Sequence, residues 1–224
     1  IPPRSVRALY QGEDVFAREL EAACTVARRH TGLDVKAMLL DGPPADGAGH
    51  DLAAEVALLV AQHAFARLWM AWGIRPEAVA GSGAGEFAAA CVAGVLSLED
   101  AVAQLAGAWG ASPFTRAELH RPKVPLLVES AGGVLTDAQA TDPARWTERP
   151  RSHGRLQDVL KTLPSVPHHR FALEVVPQDG PRRVLQTLGR LWLAGVDIEL
   201  PDVQTYSTLT QQVRDGRVSQ AVVD

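Results

Sequence analysis

The chain has 224 residues, of which 46% are hydrophobic and 21% charged, the balance of an ordinary globular domain. Its formal net charge of −4 offers no basic surface of the kind that nucleic acids or anionic lipids bind, so we expect neither partner. Two cysteines, Cys24 and Cys91, are too few for a disulfide framework, and we expect a cytoplasmic protein.

The N-terminal half is predicted to be mainly helical. Apolar residues at helical spacing predict a helix over residues 14–29. Glycine and proline dominate residues 42–49, which indicates a loop. Asp51 is then the expected N-cap of a second helix, which we predict to run to Trp72 and to stop at Gly73.

This second helix contains an apolar stretch, residues 52–71, that is long enough to raise the question of a membrane span. Polar and charged side chains interrupt it at Glu55, Gln62, His63 and Arg67. We therefore predict a core helix and no membrane span.

A short strand followed at once by a helix carries the most distinctive motif. We predict a buried strand over residues 78–80 and a helix over 84–95, joined by Gly81-Ser82-Gly83-Ala84-Gly85-Glu86. This is the pattern of a nucleophile elbow, a sharp strand-to-helix turn that exposes a serine above a sheet. The position where that serine would stand is Gly83. The order of strand, turn and helix indicates an α/β fold.

Further elements follow the elbow. Ser97 is the expected N-cap of the next helix, with Asp100 in its first turn. A strand is predicted over residues 124–128, followed by a turn at Gly132-Gly133.

The C-terminal part contains a strand pattern at residues 171–177 and a helix-and-strand pattern at 188–200. We therefore assign residues 1–200 to one truncated α/β domain and 201–224 to a tail or linker. Basic residues cluster in this part, either as a solvated face or as a docking site for an acidic carrier protein: His168, His169, Arg170, Arg182, Arg183 and Arg190.

The elbow and its surroundings, residues 68–100, resemble the malonyl/acyl-CoA:acyl-carrier-protein transacylase domain of modular polyketide synthases and bacterial fatty acid synthases. That family has Gly-His-Ser-x-Gly-Glu at the elbow, and its next helix ends as residues 92–101 do here. Residues 141–146 and 171–177 resemble the family's Asp-Pro-x-Tyr-Trp and Phe-Leu-Glu-x-Gly-Pro segments.

The resemblance implies an α/β-hydrolase-like acyltransferase core, with a parallel sheet flanked by helices. The family also inserts a small ferredoxin-like subdomain, for which residues 109–123 are too few. We predict that this subdomain is missing or vestigial. Because the family's acyl channel lies between the two subdomains, the elbow is then expected to face solvent.

Acyl transfer requires a nucleophile, a base, an oxyanion hole and, for malonyl donors, a cation. Ser82 stands for the family's elbow histidine and Gly83 for its nucleophilic serine. The carboxylate-clamping arginine falls at Ala108. The base histidine of Phe-His-Ser-Pro has only residues 111–113 as a remnant, and the Gly-Gln-Gly oxyanion loop has no counterpart in residues 1–6.

Three elbow residues of the family pattern, Gly81, Gly85 and Glu86, are retained. A carboxylate in the first turn of a helix is favoured by the helix dipole, so we interpret Glu86 as a capping residue rather than a catalytic one. We predict no catalytic residue, no cofactor-binding residue and no metal ligand.

These losses predict an inactive acyltransferase-like domain that acts as a structural spacer or docking platform. The expected partners are neighbouring synthase domains such as a ketosynthase, with an acyl carrier protein as a further candidate. Two alternatives remain: an active transferase or hydrolase that uses Ser82, and a recruitment site for a trans-acting acyltransferase. Because adjacent side chains of a strand point to opposite faces, we expect Ser82 to point away from the site.

Overall fold

The computed structural model describes residues 3–42, 50–111, 116–149, 151–152 and 154–162, together with positions 184, 187, 188, 191 and 198. The α-helices in these ranges are α1 (Pro3–Gly12), α2 (Asp14–Thr31), α3 (Val35–Asp41), α4 (His50–Ala71), α5 (Gly85–Ala93), α6 (Leu98–Ala108), α7 (Asp137–Ala140) and α8 (Leu156–Leu160). The strands are β1 (Val79–Gly81), β2 (Leu126–Val128) and β3 (Gly133–Val134), and short 3-10 helices lie at Glu129–Ala131 and Pro143–Thr147.

Helices α2 and α4 pack against each other and form much of the core. The Phe16 and Phe65 rings meet across this interface with their centroids 4.8 Å apart. The predicted first helix is confirmed and runs two residues further, to Thr31, where Gly32 ends it with a φ of 72°. Helices α1 and α3 were not predicted, because each is short and buries only a few apolar residues against its neighbours.

Helix α4 starts earlier than predicted. It begins at His50, so Asp51 lies inside the first turn and the prediction of Asp51 as N-cap is wrong. The stretch Leu52–Ala71 is long and apolar enough to cross a bilayer, but 56% of it is buried inside the fold. Such burial is typical of a core helix. A core helix can be as long and as apolar as a helix that spans a membrane.

The sheet has three strands in the order β1-β2-β3. Strands β1 and β2 are parallel, with Val79 opposite Leu126 and Gly81 opposite Val128. Strand β3 returns antiparallel to β2, so the described sheet is mixed rather than purely parallel. Strands β1 and β2 both start later than predicted. The first two residues of β1 are half-buried, whereas we predicted a buried strand.

The segment 109–123, for which we predicted a missing or vestigial subdomain, follows α6. The N-cap of α6 is Ser97, as predicted, whose hydroxyl accepts a hydrogen bond from the Asp100 amide. Among the described residues of 109–123 there is no helix or strand. The backbone amides of His120 and Lys123 donate to the carbonyls of Val95 and Ala93, which holds this segment against the end of α5.

The predicted elements at 171–177 and the tail 201–224 lie outside the described residues, as do the basic residues between 168 and 190 and most of 188–200. Of the tryptophans in the described part, Trp69, Trp72 and Trp146 are buried, as expected for packing residues. Burial raises the pKa of the Cys24 and Cys91 thiols to about 12, which favours their protonated forms at neutral pH.

Glu13 supplies a pH-dependent test of the packing between α1 and α2. Its side chain is 3% exposed, and burial, with a smaller contribution from Asp14, raises the pKa of its carboxyl from 4.5 to about 7. The stability that this carboxyl contributes is therefore fully present below about pH 4.5 and is lost as the pH rises through about 7.

We expect Glu13→Gln to have little effect at pH 5 and to raise the urea midpoint relative to wild type at pH 8. Burial lowers the pKa of His63, which acts in the opposite sense, so the readout is the difference between variant and wild type at each pH. The exposed Glu77→Gln is the matched control. A difference that does not change between pH 5 and pH 8 would contradict the prediction.

Candidate functional site

Residues 81–86 form a sharp turn between β1 and α5. Gly83 lies at its apex with a φ of +55°, in the left-handed region that favours glycine. The turn is closed by two backbone hydrogen bonds, from the Gly85 amide to the Ser82 carbonyl at 2.9 Å and from the Glu86 amide to the Gly83 carbonyl at 3.0 Å. The apex of the turn is therefore a glycine without a side chain, at the position to which the resemblance assigns the nucleophile.

The two flanking glycines have different roles. A Cβ on Gly81 would lie 2.2 Å from the Gly85 carbonyl oxygen and 2.7 Å from the Glu86 Cα. Only glycine fits at Gly81, because the atoms in the way are backbone. A Cβ on Gly85 would meet the side-chain amide of Gln62 on α4 at 3.4 Å, which is tight but not prohibitive.

Glu86 is the centre of a buried polar cluster. Its carboxylate accepts hydrogen bonds from the Ser130 amide at 2.8 Å and from the Ser130 hydroxyl at 2.6 Å. The Arg145 guanidinium donates to the same carboxylate at 3.2 Å. The side chain of Glu86 is 8% exposed and that of Arg145 19%. Glu86 keeps its favourable place near the helix N-terminus, but its partners are tertiary contacts rather than the capping that we predicted.

The residue after Arg145 extends this cluster into the apolar core. The Trp146 ring packs edge-on against Phe87 of α5 with centroids 5.5 Å apart, and its Nε1 donates to the Ala140 carbonyl at 3.0 Å. Arg145 also lies over the Trp146 ring, 5.7 Å from the centroid. The 3-10 helix at Pro143–Thr147 is thus held against the elbow helix by both polar and apolar contacts.

A second buried carboxylate, Glu129, lies beside the first. It is 1% exposed and accepts hydrogen bonds from the Ser152 hydroxyl at 3.3 Å and from the Arg155 amide. A Cβ on Gly83 would lie 3.7 Å from both the N and the Cβ of Ser152. Gly83 is buried. The expectation that the elbow faces solvent is therefore wrong, because a downstream segment of the chain covers its apex.

The other predicted positions lie as follows. Ser82 is half-buried, and Ala108 is half-buried at the last residue of α6. The Arg149 guanidinium stacks over the ring of Trp109, which follows Ala108, at 3.2 Å from the centroid. A cation from another segment therefore lies beside Ala108, the position to which the resemblance assigns the carboxylate clamp. The described residues of 1–6 belong to α1 and form no loop.

A shallow cleft of about 250 Å³ lies beside Trp146. Its walls come from α6, the segment after it and the 3-10 helix, through residues that include Gln104, Arg116 and Leu119. None of the elbow residues lines this cleft. It therefore gives no access to Gly83.

Four residues of this site were not predicted from the sequence: Glu129, Ser130, Arg145 and Ser152. One signal could have found the first two. They follow β2 directly, and the carboxyl ends of neighbouring parallel strands meet at one edge of a sheet, beside the elbow. Nothing comparable marks Arg145, which lies in a short 3-10 helix, or Ser152, which lies outside the helices and strands.

The Glu86 cluster predicts a large loss of stability on truncation. Glu86→Ala removes the acceptor of the Ser130 amide and the carboxylate partner of the Arg145 guanidinium, which we expect to lower the free energy of unfolding by about 3–5 kcal/mol. Glu77→Ala, at an exposed position, is the control and should change it by less than about 0.5 kcal/mol. Urea denaturation measures both, and similar losses in the two variants would refute the role of Glu86.

Comparisons with known proteins find similar sequences. Residues 6–111 match the model of the acyl transferase domain family. A polyketide synthase system protein for spectinabilin from Streptomyces orinoci is 29% identical over 86% of this chain, and the polyketide synthase GfsB from Streptomyces halstedii is 34% identical over 61%. The chain spans only 10% and 2% of these two relatives.

A third relative is informative about length. One component of the phenolphthiocerol/phthiocerol polyketide synthase from Mycobacterium tuberculosis is 24% identical over 306 positions, which cover 86% of this chain and 20% of the relative. Because the aligned region is longer than the 224-residue chain, the relative has residues there for which this chain has none.

Solved structures give the same fold. The acyltransferase domain from the second module of the salinomycin polyketide synthase has a TM-score of 0.65 at 20% identity and covers 92% of this chain and 73% of its own. The corresponding domain from module 8 has a TM-score of 0.64 at 20% identity, with 87% and 73% covered. By its sequence match and its relatives the chain is similar to the acyltransferase domains of polyketide synthases, and it shares their fold.

Proposed function

We propose that this domain no longer transfers acyl groups and that it serves a polyketide synthase as a structural spacer or docking platform. The observation that carries the proposal is Gly83, which stands at the apex of an intact elbow with no atom that could be acylated. Without a nucleophile at this position, no acyl-enzyme intermediate can form there.

The surroundings of Gly83 support the same conclusion. Ala108 has no cation with which to bind a malonyl carboxylate, and Arg149 beside it stacks on Trp109. Both buried carboxylates of the site already accept hydrogen bonds from the chain itself: Glu86 from Ser130 and Arg145, and Glu129 from Ser152 and Arg155. These contacts stabilise the packing of the elbow and need no substrate.

The preserved fold supports a role as a part of a larger assembly. The curated relatives are polyketide synthases of which the chain matches a small fraction, so we place this domain beside a ketosynthase-like neighbour, with an acyl carrier protein as a second candidate partner. We place such a synthase in the cytoplasm and in bacterial secondary metabolism, in keeping with the Streptomyces relatives.

The first test is chemical. Incubation of the domain with malonyl-CoA or acetyl-CoA, followed by intact-mass measurement, should show no acyl adduct, because Gly83 has no hydroxyl. A competent acyltransferase domain treated in parallel is the positive control. A fluorophosphonate probe tests the alternative nucleophile, since labelling that disappears in Ser82→Ala would show that Ser82 is active. A stoichiometric adduct in the wild-type domain would overturn the proposal.

The second test restores the family's motif. We expect Gly83→Ser combined with Ser82→His to remain unacylated by malonyl-CoA, because the clamp at position 108 and the inserted subdomain are still absent. Circular dichroism checks that the variant folds despite a non-glycine residue at a φ of +55°. Acylation at a rate near that of the positive control would mean that the loss of activity rests on residues 82 and 83 alone.

A further inference from the structure

Ser152 covers Gly83, the apex of the elbow. Ser152 lies with its N and Cβ 3.7 Å from the position of a Cβ on Gly83, which is ordinary van der Waals contact. Ser152 is itself exposed, whereas Gly83 beneath it is buried. The space into which a nucleophilic side chain would project therefore ends at Ser152.

Glu129 anchors Ser152 and Arg155 to the sheet. Glu129 directly follows β2, whose last residue, Val128, pairs with Gly81 at the end of β1. From this position Glu129 accepts hydrogen bonds from the Ser152 hydroxyl and the Arg155 amide. Since Glu129 is 1% exposed, loss of these donors would leave a buried carboxylate with fewer partners, which strongly favours the seated segment.

The chain on either side of Ser152 and Arg155 also packs against the fold. On its C-terminal side, α8 lies against all three strands and buries Val159. On its N-terminal side, Arg145 and Trp146 attach the chain to Glu86 and Phe87 of α5.

We propose that Ser152, which Glu129 tethers together with the Arg155 amide, forms a plug over Gly83. The proposal rests on the proposed function and extends it: the elbow is closed as well as unreactive. An acyl donor must bring its carbonyl to about 3–3.5 Å from the reacting atom, and Ser152 occupies that space.

Thiol accessibility tests the plug. Gly83→Cys places a thiol under Ser152, and Gly110→Cys is a matched control, because Gly110 also has a positive φ, of +70°, but is exposed with no atom within 4 Å of a Cβ. We expect iodoacetamide to alkylate the cysteine at 83 at least about tenfold more slowly than the one at 110, comparing rate constants for the thiolate obtained from the pH dependence. The wild-type chain, in which burial raises the pKa of both thiols, is the blank.

A second measurement tests the contact with Ser152 directly, because alkylation at position 83 can be slow for reasons other than coverage by Ser152. In Gly83→Cys/Ser152→Cys the two Cβ atoms lie within the range of a disulfide, and we expect mild oxidation with oxidised glutathione to form it. Gly83→Cys/Gln157→Cys is the control, with its second cysteine at an exposed position on α8, and should not crosslink. Intact mass and peptide mapping detect the bond.

Equal alkylation of the cysteines at 83 and 110, or equal crosslinking of the two cysteine pairs, would overturn the plug. Either result leaves the proposed function intact, because that proposal fails only if the wild-type domain acquires an acyl adduct. Adding Glu129→Gln to Gly83→Cys should raise the alkylation rate, and an unchanged rate would show that Glu129 is not the tether.

Discussion

The structure depends on the close approach of helix α5 to the end of strand β1. At Gly81 the backbone of the strand and the backbone of the helix are so near that even a methyl group would overlap the Gly85 carbonyl. This approach forces the chain to turn within three residues, and the turn requires a positive φ at Gly83. The same geometry brings the first turn of α5 to the edge of the sheet, where β2 also ends.

Two buried carboxylates lie at that edge of the sheet. Glu86 comes from the first turn of α5 and Glu129 from the residue after β2. Each is satisfied by donors from downstream segments, Glu86 by Ser130 and Arg145 and Glu129 by Ser152 and Arg155. A buried carboxylate without such donors is strongly destabilising, so these segments are held in place by the elbow. In this way the turn at 81–86, where the resemblance implies a reactive serine, is the site to which the following chain is attached.

The sequence predicted those elements whose signals lie within a few neighbouring residues. Helix α2, the Ser97 cap of α6, the parallel pairing expected of an α/β unit and the turn at 81–86 all follow from periodicity or from motif spacing over a few residues. The errors also have physical reasons. Asp51 has the chemistry of an N-cap, but α4 begins one residue earlier, and the antiparallel strand β3 is only two residues long, below the length that gives an alternating pattern.

The sequence by itself determined the family resemblance, the elbow and the absence of a side chain at Gly83, because each is a matter of residue type at a given spacing. Only the tertiary structure decided what surrounds that position. Glu86 meets Ser130 and Arg145 across 44 and 59 residues of chain, and Glu129 meets Ser152 across 23. Contacts at such separations depend on how strands and helices pack, and no periodicity records them. The exposed elbow expected from the missing subdomain was therefore replaced by a buried one, since the chain's own polar groups cover it.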